Sequence, residues 1–312
     1  MALDQATTDL MAQMAEQGVK PLHEMTVTEA RGLTAGLSDM YGPGPDVARA
    51  EDLDIPADHA TIPARLLVPE GTPRGVVVYF HGGGWVIGAL PEFETLCRKL
   101  AVASGYAVVS VDYRMAPEHP YPAAVQDAWT ALRWIDENLD QLAGARVPLV
   151  VMGDSSGGNL AAVVAQQARD AGGPSLAMQV LVYPVTDSNV NTETYTDPAN
   201  QLLLSRDSMI WFFDLYAPDA TTRGNADLCP ARASDLSGLP PALVLTAEHD
   251  VLRQEGEAYV DALRAAGNEV THQRFDGQMH GFFTLPNVLP GSDAALDVVV
   301  GALDRLSTTQ TT

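Results

Sequence analysis

A serine set among glycines at the end of an apolar run is the first place in this chain where chemistry could happen. The stretch Gly153-Asp154-Ser155-Ser156-Gly157-Gly158-Asn159 follows the apolar run Val147 to Met152 and precedes an apolar-periodic run from Leu160 to Ala168. That order reads as strand, tight turn, helix. A serine in such a turn is pushed clear of the sheet, and the next helix directs its unpaired N–H groups at the same spot. A glycine- and serine-rich turn that merely ends a strand would have the same composition. The flanking strand and helix weigh against that reading, and so do two further groups of residues.

A serine hydroxyl is a poor nucleophile near neutral pH and needs an adjacent base, itself oriented by a third group. Where the nucleophile sits in a strand–turn–helix of this kind, an acid and then a histidine follow it along the chain. Asp250 follows the strand-like ALVLTA, in Glu248-His249-Asp250-Val251-Leu252, and His280 follows a strand ending at Phe275, in Gly277-Gln278-Met279-His280-Gly281-Phe282. Loops at the carboxyl ends of parallel strands are where such sheets keep their sites. His249 is the strongest rival base, and His280 is preferred because its loop comes last. His23, His59 and His272 fall in helix, turn or strand contexts, while His81 and His119 read as structural. Glu248 and Glu255 rival Asp250 as the acid. Asp154, inside the turn, is too constrained to orient a distant imidazole and reads as a hydrogen-bonding anchor. Charge developing on an acyl oxygen needs preset donors. His81-Gly82-Gly83-Gly84 supplies bare N–H groups after a buried strand, and Ser156 supplies another. Three glycines together cost conformational entropy and ask for a reason.

The surrounding pattern explains how these residues could meet. Residues 1–17 and 28–40 have helical spacing, and Gly42-Pro43-Gly44-Pro45 ends that segment. Residues 48–55 and 61–68 read as an antiparallel pair. Gly75 to Phe80, Tyr106 to Asp112, Val147 to Gly153, Met178 to Tyr183, Ala242 to Ala247 and Glu269 to Phe275 read as strands, mostly buried on both faces. Helices alternate with them: one with Phe93, Leu96, Cys97 and Leu100 on a face, one opened by Pro122 as its first residue and running to Leu139, one carrying Tyr259 and Leu263, and a last from Ser292 to Leu306. This is an α/β pattern with a mostly parallel sheet flanked by helices. Pro184 to Pro230 breaks the alternation with polar loops and one aromatic helix, Arg206 to Tyr216. The expected division is N-terminal cap helices 1–44, core 45–185, cap insertion 186–224 and core 225–312.

Composition narrows the partners. The chain has 312 residues, 46% hydrophobic, with 40 acids against 18 bases and a formal charge of −22. Such a surface repels nucleic acid and anionic membranes, so neither is expected as a partner and the substrate is expected to be a small neutral or apolar molecule. The first thirty residues are acidic and lack an apolar stretch, no run is long enough for stable membrane insertion, and Cys97 and Cys229 read as free thiols. A cytoplasmic enzyme is expected. The Thr-rich end from Ser307 is expected to fray. Oligomeric state is left open, a homodimer being allowed.

HGGGW at 81–85, YRMAPEHPYPAA at 113–124, GDSSGGN at 153–159, LSGLPPALV at 236–244 and GQMHGF at 277–282 together resemble the hormone-sensitive lipase family, and within it the bacterial family IV carboxylesterases of the GDSAG group. The resemblance runs from about residue 45 to the end, and through the cap by layout alone. It implies an α/β-hydrolase fold with a helical cap. It also implies Ser155 as nucleophile with Asp250 and His280, an oxyanion hole from the N–H groups of Gly83, Gly84 and Ser156, and hydrolysis of short- to medium-chain esters without metal or cofactor. Ser156 departs from the usual alanine and Val251 from the usual proline. Trp85, Trp211, Phe212 and Phe213 are candidates to line the acyl or alcohol pocket, gluing cap to core being as good a reading for each. Two alternatives remain. A non-catalytic small-molecule receptor, similar to the plant gibberellin receptors, would lack the histidine that stands here as His280. An amidase or peptidase would use the same triad.

Overall fold

The computed structural model describes residues 2–58 and 60–309; Met1, His59 and the last three residues of the Thr-rich end lie outside the described residues. The strands are β1 (Arg49–Pro56), β2 (Thr61–Val68), β3 (Val76–Phe80), β4 (Ala107–Val111), β5 (Leu149–Asp154), β6 (Met178–Val182), β7 (Ala242–His249) and β8 (Val270–Met279). The helices are α1 (Gln5–Glu16), α2 (Val27–Ser38), α3 (Leu90–Ser104), α4 (Ala123–Glu137), α5 (Leu139–Ala143), α6 (Ser156–Ala171), α7 (Glu193–Thr196), α8 (Arg206–Tyr216), α9 (Arg253–Ala265) and α10 (Pro290–Thr309).

Among the described residues, one sheet carries eight strands in the order β1-β2-β4-β3-β5-β6-β7-β8. β2 pairs antiparallel with β1 and β4, and the remaining pairings are parallel. β3 to β6 are buried along their whole length, as their continuous apolar, largely β-branched runs require. Strand side chains alternate between faces, so the sheet separates two cores. Val76, Val78 and Phe80 join α4, α6 and α9 on one side. Val77 and Tyr79 join α3 and α10 on the other. The edge strand β1 is guarded by charge, with Glu51, Asp52 and Asp54 along it.

Several boundaries differ from the sequence reading; the last helix, expected over Ser292 to Leu306 with fraying from Ser307, runs from Pro290 to Thr309. Pro122 sits just before the first residue of α4 rather than on it. The helix expected to reach Leu139 stops at Glu137, because the Asn138 side chain takes the Trp134 carbonyl at 2.7 Å and competes with the helical ladder, leaving α5 as a separate turn. β8 runs four residues past Phe275. Asp276, Gly277 and Gln278 hide this extension in the hydropathy pattern, but an irregularity after Ala247 lets Met279 pair with His249. The extension puts His280 immediately beyond a strand end.

The insertion forms a helical cap region. α8 is capped by Ser205, whose side chain accepts from the Ser208 N–H. It buries Met209, Phe212, Phe213 and Tyr216 and touches the turn Leu22–Glu24. α6 holds both ends of the insertion through one side chain: the Asn159 amide donates to the carbonyls of Val185 and Leu228, each at 2.8 Å. Cys97 and Cys229 are buried free thiols. Among the described residues, no helix is long and apolar enough to cross a membrane.

Candidate active site

The strand order reverses around β3. From β3 the chain goes to β4 on one side and returns to β5 on the other, so the loops after β3 and β5 part and leave a crevice at their carboxyl ends. Phe80 and Gly153 are paired in register at that end. The glycine loop 81–84 and the serine turn 153–157 therefore start side by side.

Ser155 has φ 54 and ψ −119, a conformation few non-glycine residues adopt. Holding it costs about 1–3 kcal/mol, which the surroundings must offset. Its N–H donates to Val182 O at 2.9 Å, and its carbonyl accepts from Asn159 N at 3.0 Å and Val185 N at 3.2 Å. The turn is close enough to β3 that a Cβ at Gly157 would be driven into the carbonyl oxygens of Phe80 and His81.

His280 Nε2 lies 3.0 Å from Ser155 Oγ, and His280 Nδ1 lies 2.8 Å from Asp250 Oδ2. The carboxylate can only accept, so Nδ1 carries the proton and Nε2 is free to accept from the serine hydroxyl. Asp250 Oδ1 accepts from Leu252 N at 2.8 Å, which fixes the carboxylate plane. The Tyr183 ring stands 4.5 Å from the imidazole and backs it. All three hydrogen-bonded side chains are buried.

The rival residues are not part of this path. His249 Nε2 lies 3.9 Å from Glu248 and makes no hydrogen bond among the described residues, and Glu248 accepts from Gly277 N at 2.8 Å. Glu255 is buried and accepts from the N–H groups of Thr186 (2.8 Å) and Asp187 (3.3 Å); burial pushes its carboxyl up to about 8. Asp154 ties the two loops together by accepting from Tyr79 OH at 2.6 Å and Gly82 N at 3.0 Å, and burial pushes it up to about 6. His81 is stacked between Phe93 and Tyr113, its Nδ1 donates to Gly82 O at 2.7 Å, and burial pulls it down to about 4. It is neutral and holds the loop. His272 Nε2 pairs with Thr246 Oγ1 at 2.9 Å on β8.

Gly83 has φ 109, and a Cβ there would strike the Ile87 carbonyl. Among the described residues, the Gly83 and Gly84 N–H groups donate to no partner. Ser156 is the first residue of α6, where an N–H has no intrahelical acceptor. Gly83, Gly84, Ser155 and His280 open on one cavity of about 130 Å³. Leu22 and Leu33 from the N-terminal segment and Leu203, Leu204 and Phe212 from the insertion close it.

The four aromatic pocket candidates separate. Phe212 is in the cavity wall, its ring packed on Gly84. Trp85, Trp211 and Phe213 are not among the lining residues. Trp85 is fully buried and stacked on Tyr216 at 4.3 Å, so it fastens the glycine loop to α8. Phe213 is buried beside it at 5.9 Å. Trp211, one position round the helix, is half-buried against Phe212 at 5.0 Å. One helical step turns a side chain by about 100°, which is why neighbours on α8 face different surroundings. Tyr183, Asn159 and Glu92 also contribute to this region, in roles that the sequence pattern does not assign to them. For Tyr183 the available signal was its place just past a buried strand, the same signal that marks Asp250.

A family profile described as alpha/beta hydrolase fold matches residues 77–284. Among curated proteins, the chain is 42% identical over 266 residues to the carboxylesterase NlhH of Mycobacterium tuberculosis, covering 82% of each. It is 34% identical over 313 residues to the ethyl acetate hydrolase of Pseudomonas putida, covering 94% of this chain and 96% of that one. Among solved structures, a hyperthermophilic esterase from Pyrobaculum calidifontis superposes with a TM-score of 0.91 at 36% identity, over 98% of this chain and 99% of that one.

Proposed function

Because this chain belongs to the alpha/beta hydrolase fold family, and is a serine carboxylic-ester hydrolase within it, we propose that Ser155, His280 and Asp250 are its catalytic residues and that Gly83, Gly84 and Ser156 form its oxyanion hole. The observation that carries this assignment is the continuous hydrogen-bonded path from Asp250 through His280 to Ser155, at 2.8 and 3.0 Å, opening on the cavity.

Ser155 Oγ attacks the ester carbonyl as its proton passes to His280 Nε2. Asp250 stabilises the imidazolium through Nδ1–H. The oxygen that becomes negative turns toward the free N–H groups of Gly83, Gly84 and Ser156, which need no reorganisation to receive it. His280 then gives its proton to the departing alkoxide, leaving an acyl-serine. A water, deprotonated by the same imidazole, releases the acid.

The finer reading is a bacterial family IV esterase of the GDSAG group, with a cap built from residues 1–44 and 186–224 over a core of 45–185 and 225–312. It acts on short- to medium-chain esters in the cytoplasm. The small, leucine-walled cavity supports the short end of that range, and two free buried thiols support a reducing compartment.

The test is a series of p-nitrophenyl esters from acetate to palmitate, read with the wild type and Ser155→Ala. The wild type is expected to give a burst of p-nitrophenol and a rate that falls as the acyl chain lengthens. Ser155→Ala is expected to lose about 10⁴-fold or more in turnover with an unchanged circular dichroism spectrum. Turnover surviving in that variant rejects the assignment.

A further inference from the structure

Glu92 lies in the first turn of α3 and lines the same cavity as Ser155 and His280. The wall around it is mostly apolar, with Leu22, Leu33, Ile87, Leu203 and Phe212, and no lysine or arginine is among the lining residues. The charged and titratable groups near Glu92 are either anionic, neutral or engaged. On α2, Arg31 holds Glu118 at 2.8 Å and the carbonyls of Val86 and Ala116, while the Thr34 hydroxyl is within hydrogen-bond reach of Glu92. The Tyr41 phenol faces Glu92 from the segment after α2. Glu94 of α3 itself is paired with Arg65 and Arg98. Across the cavity, Asp154 is held by Tyr79 and Gly82, and His280 by Asp250 and Ser155.

A carboxyl placed in an apolar substrate cavity without a protein cation is the half of an ion pair that a ligand can complete. We propose that the cavity selects small esters carrying an ammonium group, with Glu92 as the specificity-determining residue that pairs with it. The inference rests on the esterase reading of Ser155. Burial pushes Glu92 up to about 7, so in the free enzyme the anion that would hold a cation predominates above that value and is the minor form below it. The formal charge of −22 draws small cations toward the surface and adds to the same selection.

The test compares isosteric pairs by kcat/KM. Butyrylcholine against 3,3-dimethylbutyl butyrate puts the charge on the alcohol side; ethyl 6-aminohexanoate against ethyl heptanoate puts it on the acid side. The readout is the cationic-to-neutral ratio within a pair on one enzyme, so a general loss of fold or catalytic geometry cancels. The wild type is expected to favour the cationic member of at least one pair. Glu92→Gln and Glu92→Leu are each expected to cut that ratio by about tenfold or more. In the wild type the ratio is expected to rise as pH is taken from well below to well above about 7. A wild type without preference in either pair, or a preference that both variants keep, overturns the proposal. Failure of the wild type on the neutral esters would instead reject the esterase reading, and this inference with it.

Discussion

Ser155 at φ 54 and ψ −119 and Gly157 against the β3 carbonyls are two halves of one turn. The serine accepts backbone strain to expose its hydroxyl, and the glycine lets the turn approach β3 closely enough for Asp154 to reach Gly82. A methyl at 157 has nowhere to go. Gly157→Ala is expected to cost about 3 kcal/mol or more, or to yield no folded protein, in urea unfolding. Gly32, in the middle of α2 with open space around it, is the control. Gly32→Ala is expected to leave stability unchanged or raise it by up to about 1 kcal/mol, since alanine loses less entropy in a helix. The opposite ranking of the two variants would contradict the close approach.

At the level of elements, the insertion is tied to the core at its two ends and beside the acid loop. Asn159 of α6 holds Val185 and Leu228. Asn159→Ala leaves both carbonyls without that donor and is expected to cost about 2 kcal/mol or more, with faster proteolysis of residues 186–224 as the local readout. Glu255 of α9 holds Thr186 and Asp187, and Thr194 Oγ1 donates to Val251 O at 2.7 Å next to Asp250. Glu255 is raised from 4.5 to about 8, mainly by burial, so the folded protein keeps a proton that the unfolded chain releases. The stability this contributes is full below about 4.5 and is lost as pH rises toward about 8. The fall in melting temperature between those values is expected to be smaller in Glu255→Gln than in the wild type. An equal fall in both would show that Glu255 is not the group that titrates.

Across the whole molecule, 40 acids face 18 bases. Many of the arginines are already in ion pairs, such as Arg114 with Asp127 and Arg74 with Asp304, so the excess carboxylates repel one another across the surface. Salt shortens the range of that repulsion to roughly a Debye length, about 10 Å at 0.1 M. Raising sodium chloride from about 0.01 M to about 0.5 M is expected to raise the melting temperature, read by differential scanning fluorimetry. A flat or falling response would mean that the ion pairs, which salt weakens, outweigh the repulsion.

Ser155, Asp250 and His280 could be picked from residue type, strand ends and chain order, because those properties are local and repeat with a period the hydropathy pattern carries. The order of the buried strands and the extent of α8 were legible for the same reason: apolar runs and helical spacing are properties of a few consecutive residues. The last residues of β8 were not, since Asp276, Gly277 and Gln278 fall in the irregularity between the Ala247–Phe275 and His249–Met279 pairs, and the strand resumes beyond them through Met279 rather than through their own hydropathy. Which aromatic of α8 meets the cavity was also hidden. Trp211, Phe212 and Phe213 are alike in composition and differ in direction, and direction depends on how the helix is rolled against Gly84 and Trp85. Glu92 looks in the sequence like any surface glutamate at a helix start. Its exposure to the cavity beside Ser155 comes from α2 and the insertion closing over it, contacts made by residues more than fifty positions away that no local pattern can encode.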